Sequence, residues 1–124
     1  MTESAETSQF ATAVNCMDGR VQDPITAFAR QHFDVPYVDM ITAAGVVQNI
    51  TAEVRERVGI SIEAHASKGI VVAAHAECAG NPVADDVQKT QCMEAARSLK
   101  ADWPTLEVLA VWVVPGEGLE FLQV

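Results

Sequence analysis

Residues 69–82 read Gly69-Ile-Val-Val-Ala-Ala-His75-Ala-Glu77-Cys78-Ala-Gly80-Asn81-Pro82. The run Ile70 to Ala74 is β-branched and small, the composition of a strand buried on both faces. It stops at His75, Glu77, Cys78, Gly80 and Asn81, which are polar, metal-binding or turn residues. Spaced three apart, His75 and Cys78 let an imidazole and a thiolate converge from one turn onto a single zinc ion. A lone H-x-x-C is a weak signal, more often polar residues satisfied at the end of a strand than a metal site.

Working outward, strand and helix signals alternate. Phe10 to Cys16 (FATAVNC) is a short buried strand. Asp23-Pro24 carries the cap-then-proline signature of a helix start, with Ile25, Phe28 and Phe33 as its stripe, so a first helix is predicted over 24–33. Tyr37 to Thr42 is β-prone. Asn49 or Thr51 then caps a helix with a ridge of Ile50, Val54, Val58 and Ile62, in which Gly59 either permits close packing or marks an irregularity. After the strand at 69–75, Asn81-Pro82 repeats the cap signature, and Val83, Val87, Met93, Ala96 and Leu99 line a third helix that closes before Trp103-Pro104. Leu106 to Val114 is a strand, Pro115 to Gly118 a turn, and Leu119 to Val124 a strand that pairs back. Residues 1–9 read as a flexible leader and 10–124 as a single domain.

The alternation predicts an α/β fold: an open, mostly parallel sheet of about four strands plus a C-terminal antiparallel strand, with helices on both faces. In such sheets ligands bind beyond the carboxyl ends of the strands, where strand order reverses. If the strands ending at Cys16 and His75 are neighbours there, Cys16, His75 and Cys78 form a Cys₂His set. Three protein ligands with a fourth position open is the catalytic zinc arrangement, whereas structural sites normally close with four.

Composition limits the partners. With 17 acidic against 8 basic residues the net charge is −9, which opposes binding to nucleic acid or an anionic membrane surface. The opening MTESAETSQF has neither the basic residues nor the apolar core of a secretory signal, and a cytoplasmic location is expected. Three cysteines suit ligation or burial better than a disulfide scaffold.

Cys16-Met17-Asp18-Gly19-Arg20, read as C-x-D-x-R and followed by H-x-x-C at 75–78, each after an apolar strand, resembles the β-class carbonic anhydrases from about Ala11 to Val124. The resemblance implies that Cys16, His75 and Cys78 hold Zn²⁺. Asp18 then orients the attacking water or, in a closed form, ligates the metal, and Arg20 holds Asp18 off it. The implied activity is that of a zinc lyase: reversible hydration of CO₂ to bicarbonate by zinc-hydroxide attack. Hydrolysis of carbonyl sulfide or carbon disulfide at the same ligands is a second reading, and a non-catalytic zinc or bicarbonate-binding protein a third. A homodimer or higher homo-oligomer is also implied.

The chain departs from the family pattern. Gly19 replaces the usual serine or alanine, Thr42-Ala43-Ala44-Gly45 stands for R-N-A-G, and Cys78-Ala79-Gly80 for C-G-G; the N-terminal helices that wrap a partner are expected to be lacking. Outside the motif, Asp18 and Arg20 read as a turn acid and a surface ion pair. Cys92 reads as a buried small hydrophobe. His32 and His65 sit near helix ends, where a cation is favoured, and either is a candidate proton shuttle. Glu77 is a solvated turn acid or a base, and Val46 and Val47 line an apolar pocket or belong to the core.

Overall fold

The computed structural model describes residues 7–123. In chain order it forms β1 (Phe10–Asn15), α1 (Gly19–Phe33), β2 (Tyr37–Thr42), a 3₁₀ turn (Val46–Gln48), α2 (Ala52–His65), β3 (Gly69–His75), α3 (Asp85–Asp102), β4 (Glu107–Val114) and β5 (Gly118–Leu122). The sheet order is β2-β1-β3-β4-β5. β1 pairs parallel with β2 and β3, β3 parallel with β4, and β5 returns antiparallel on β4. This is the expected α/β architecture.

β3 is buried at every position because it has a strand on each side and helices above and below. Alternation splits the core in two. Ile70, Val72 and Ala74 pack with Val54 and Val58 of α2 and with Cys92, Ala96 and Leu99 of α3. Val71 and Ala73 pack with Val21, Ile25, Ala29 and Phe33 of α1 on the opposite face. Val46 and Val47 belong to the α2–α3 side of this core, Trp112 joins them there, and Trp103 packs against it.

Two helix starts differ from the sequence-based expectation. α1 begins at Gly19 rather than at residue 24, because the Asp18 carboxylate accepts a hydrogen bond from the backbone N–H of Arg20 and serves as the cap. Pro24 therefore lies inside the helix, where it removes only the bond to the Arg20 carbonyl. α3 begins at Asp85, after an extended Ala84, rather than at Asn81-Pro82. Val83 and Val87 are exposed; the buried stripe is Gln88, Cys92, Ala95, Ala96 and Leu99. Thr51 caps α2 by accepting from the Val54 N–H, and Gly59 leaves that helix uninterrupted.

Of the expected leader, residues 1–6 lie outside the described residues. Ser8 is buried, its hydroxyl donating to the His65 carbonyl and accepting from the Phe10 N–H. Val124, the end of the expected last strand, is also outside them. No helix among the described residues is long and apolar enough to cross a membrane.

Candidate metal centre

Leaving β1, the chain goes to β2 on one side and then to β3 on the other, so strand order reverses between β1 and β3. Cys16 directly follows β1 and His75 is the last residue of β3, which brings both to one crevice. Cys78 joins them from the turn after β3. The Sγ atoms of Cys16 and Cys78 lie 3.8 Å apart, and with the His75 ring nitrogen the three donor atoms fall within 4.8 Å of one another, all on buried residues.

The imidazole is held in one tautomer. The Ala76 carbonyl can only accept, so the 2.8 Å contact makes His75 Nδ1 the N–H and leaves Nε2 with a free lone pair. That Nε2 is buried with no hydrogen-bond partner. A buried nitrogen acceptor left bare is costly, and here it faces two sulfurs. The His75 backbone N–H donates to Oε1 of Gln88, a residue 2% exposed. The Gln22 amide donates to the carbonyls of Cys16 and Asp18, tying the turn between β1 and α1 to the helix.

The two thiols are pushed in opposite directions. Burial raises the Cys16 pKa, but the hydrogen bonds to its sulfur, led by the Gly45 N–H at 3.5 Å, outweigh burial and lower it. Burial, reinforced by Cys16 beside it, raises Cys78. A bare imidazole nitrogen with two sulfurs is the soft donor set that suits zinc. The residues present fit that ion.

Asp18 and Arg20 stand at the rim of this cluster. Asp18 Oδ2 accepts from Arg20 Nη2 at 2.7 Å, and Arg20 Nε reaches Oδ1 at 3.1 Å. The guanidinium, then the Arg20 backbone N–H, holds the Asp18 carboxyl down at about 2. Asp18 Oδ2 lies 4.0 Å from His75 Nε2. All five residues singled out from the sequence therefore lie at one edge of the sheet.

Of the other candidates, Glu77 sits exposed in the turn between His75 and Cys78, whereas Cys92, His32 and His65 lie elsewhere. Cys92 is between α3 and the sheet, where its Sγ donates to the carbonyls of Val72 and Val111 and burial pushes the thiol up to about 12. His32 pairs with Glu107, the first residue of β4, at 2.9 Å, and His65 ends α2 against Asp39 at 2.6 Å. Both histidines sit at the edge where strands begin, opposite the cluster, so neither is placed to shuttle its protons. Three contributors went unread in the sequence: Gln88 and the facing glycines Gly45 and Gly80. A glycine after Thr42-Ala43-Ala44 and another two residues after Cys78 were the available signal.

Comparison with known proteins follows the same line. The family described as "Putative carbonic anhydrase" matches residues 6–122. No curated protein sequence matches the chain. Among solved structures, a carbonic anhydrase from Streptococcus mutans superposes with a TM-score of 0.72 at 16% identity, over 99% of this chain and 87% of that one. The β-carbonic anhydrase CafA of Aspergillus fumigatus gives 0.69 at 13% identity, over 96% and 78%. One of the tetrameric β-carbonic anhydrases of Sordaria macrospora gives 0.68 at 13%, over 97% and 84%. At such identities the likeness to these structures is one of fold.

Proposed function

The chain belongs to the β-carbonic anhydrase family, and on that premise we propose that residues 10–124 act as one domain that binds a zinc ion through Cys16, His75 and Cys78 and catalyses reversible hydration of CO₂ to bicarbonate. The observation that carries this reading is the bare, buried Nε2 of His75 turned toward two cysteine sulfurs. A zinc ion there supplies the Lewis acidity that makes hydroxide available from water near neutral pH.

The chain's own residues do the rest. Asp18, kept ionised by Arg20, accepts a hydrogen bond from the attacking water and fixes which lone pair meets the carbon of CO₂. Water adds to carbon, one C=O π bond becomes a C–O⁻, and one proton is released for each bicarbonate formed. With His32 and His65 at the opposite edge, that proton passes to solvent buffer, so turnover depends on buffer concentration.

A homo-oligomer is part of the proposal, supported by the tetrameric state of the Sordaria macrospora enzymes, and light scattering at micromolar concentration should give a mass of at least two chains. A cytoplasmic location is supported by three free cysteines, which a reducing compartment preserves.

Stopped-flow CO₂ hydration between roughly pH 6 and 9, on zinc-loaded protein with a metal-stripped control, tests the activity across the range that brackets a zinc-water pKa near 7. The rate should rise with pH and exceed the control. A rate no greater than the control on protein that holds zinc would refute CO₂ hydration and direct assays to carbonyl sulfide and carbon disulfide.

A further inference from the structure

Glu77 lies between His75 and Cys78 in the chain and has no part in the mechanism above. Its φ is 59°, in the left-handed region where glycine is at ease and a side chain is strained. The turn nevertheless carries a glutamate, and its carboxylate lies 3.7 Å from Nη1 of Arg20. The Glu77 carbonyl also accepts from Nη2 of Arg20 at 3.4 Å. One guanidinium is thus shared between Asp18 at the start of α1 and Glu77 in the turn after β3.

That sharing matters because of where Asp18 stands. Its Oδ2 is 2.7 Å from Arg20 and 4.0 Å from the free nitrogen of His75, so a metal held by His75 and the arginine compete for the same carboxylate oxygen. Whatever fixes the guanidinium biases the competition. Resting on the metal-site reading above, we infer that Glu77 is a positioning residue: it anchors the far nitrogen of Arg20 to the turn between two ligands and so keeps Asp18 off the metal. The pair is half or more exposed, with side-chain exposures of 50% for Arg20 and 77% for Glu77. Its expected effect on where Asp18 resides is therefore about two- to five-fold.

Cobalt(II)-loaded protein titrated with azide tests this without an activity assay, because azide and the Asp18 carboxylate compete for the position left by three protein ligands. Glu77→Gln should weaken azide binding about two- to five-fold, with the azide-free visible spectrum shifting toward an added carboxylate ligand. Glu77→Gly, which relieves the left-handed φ and so folds readily, should do the same. In an Asp18→Asn background the Glu77 effect should vanish. Unchanged azide binding in both variants would overturn the role. So would tighter binding, which would mean that Glu77 merely repels anions, or an effect that persists without Asp18. A wild-type protein that takes up no cobalt would refute the metal site and this inference with it; one that binds cobalt and azide but ignores Glu77 leaves the site standing.

Discussion

Gly45 and Gly80 meet backbone to backbone: a Cβ on Gly45 would lie 2.5 Å from the Gly80 carbonyl oxygen, and one on Gly80 would lie 2.8 Å from the Gly45 nitrogen. Gly45 also has φ 59° and donates its N–H to Cys16 Sγ. This contact presses the loop after β2 against the turn that carries Cys78. Gly45→Ala should cost about 2–4 kcal/mol from strain plus overpacking, read by urea unfolding, and should weaken zinc binding in parallel. Full stability with full zinc affinity would show that the two loops shift freely.

One zinc per chain is expected by elemental analysis, and Cys16→Ser should leave the purified protein largely metal-free. Since ligand bound only by the folded state stabilises it, a chelator should lower the Tm of wild type and leave that of the variant unmoved. Full zinc occupancy in Cys16→Ser would refute the ligand assignment.

Cys92 sets an alkaline limit to stability. Its folded pKa of about 12 lies above the ordinary 9.0, so the unfolded chain loses this proton first. The contribution is complete below about pH 9 and falls away between there and 12. From roughly pH 8 to 10.5 the urea midpoint of wild type should decline more steeply than that of Cys92→Ala, whatever the cavity costs at neutral pH. Equal slopes would contradict the burial argument. In the native state Cys92 should also resist thiol reagents.

Gly59 occupies the interior of α2, and a Cβ there would make ordinary contact with Trp103 at 3.7 Å. Nothing in the packing requires glycine. Gly59→Ala should raise stability by about 0.5–1 kcal/mol through helix propensity and a less flexible unfolded chain. A fall in the urea midpoint would reveal a constraint from neighbouring copies.

Thr12, fully buried on β1, places its hydroxyl 2.7 Å from both Ser61 and Ser67, and Ser61 in turn donates to Asp39. Thr12→Val keeps the shape and removes the bonds to Thr12, while Ser61 still donates to Asp39 and Ser67 to the Gly69 carbonyl, so the cost should be about 0.5–1.5 kcal/mol by urea unfolding. A neutral result would mean the serines find other partners.

Strand positions were legible in the residues because β-branched runs bounded by turn residues have few other places to go: β2 and β3 lie at 37–42 and 69–75 as read. Two of the three helix starts were not, Thr51 of α2 being the exception. Asp23-Pro24 and Asn81-Pro82 have the local signature of a cap, but Asp18 had a free N–H within reach at Arg20, and α3 waited for Asp85. Val83 was misread because it precedes the helix, and Val87 because the buried stripe runs through the polar Gln88, about 100° further round the axis, where no apolar pattern pointed.

The amino-acid sequence by itself determined the strand and helix alternation, the residue types at the ends of β1 and β3, and the motif that links them to a family, because these depend on neighbours along the chain. Tertiary structure decided the rest. That β1 and β3 are adjacent, that Gly45 and Gly80 touch, that the Gly45 N–H and the Cys78 sulfur both reach Cys16 and that Arg20 meets Glu77 all depend on contacts between segments 29 to 62 positions apart. Only packing fixes such distances, because the energy of a donor cluster lies in angstroms of separation that no local preference encodes.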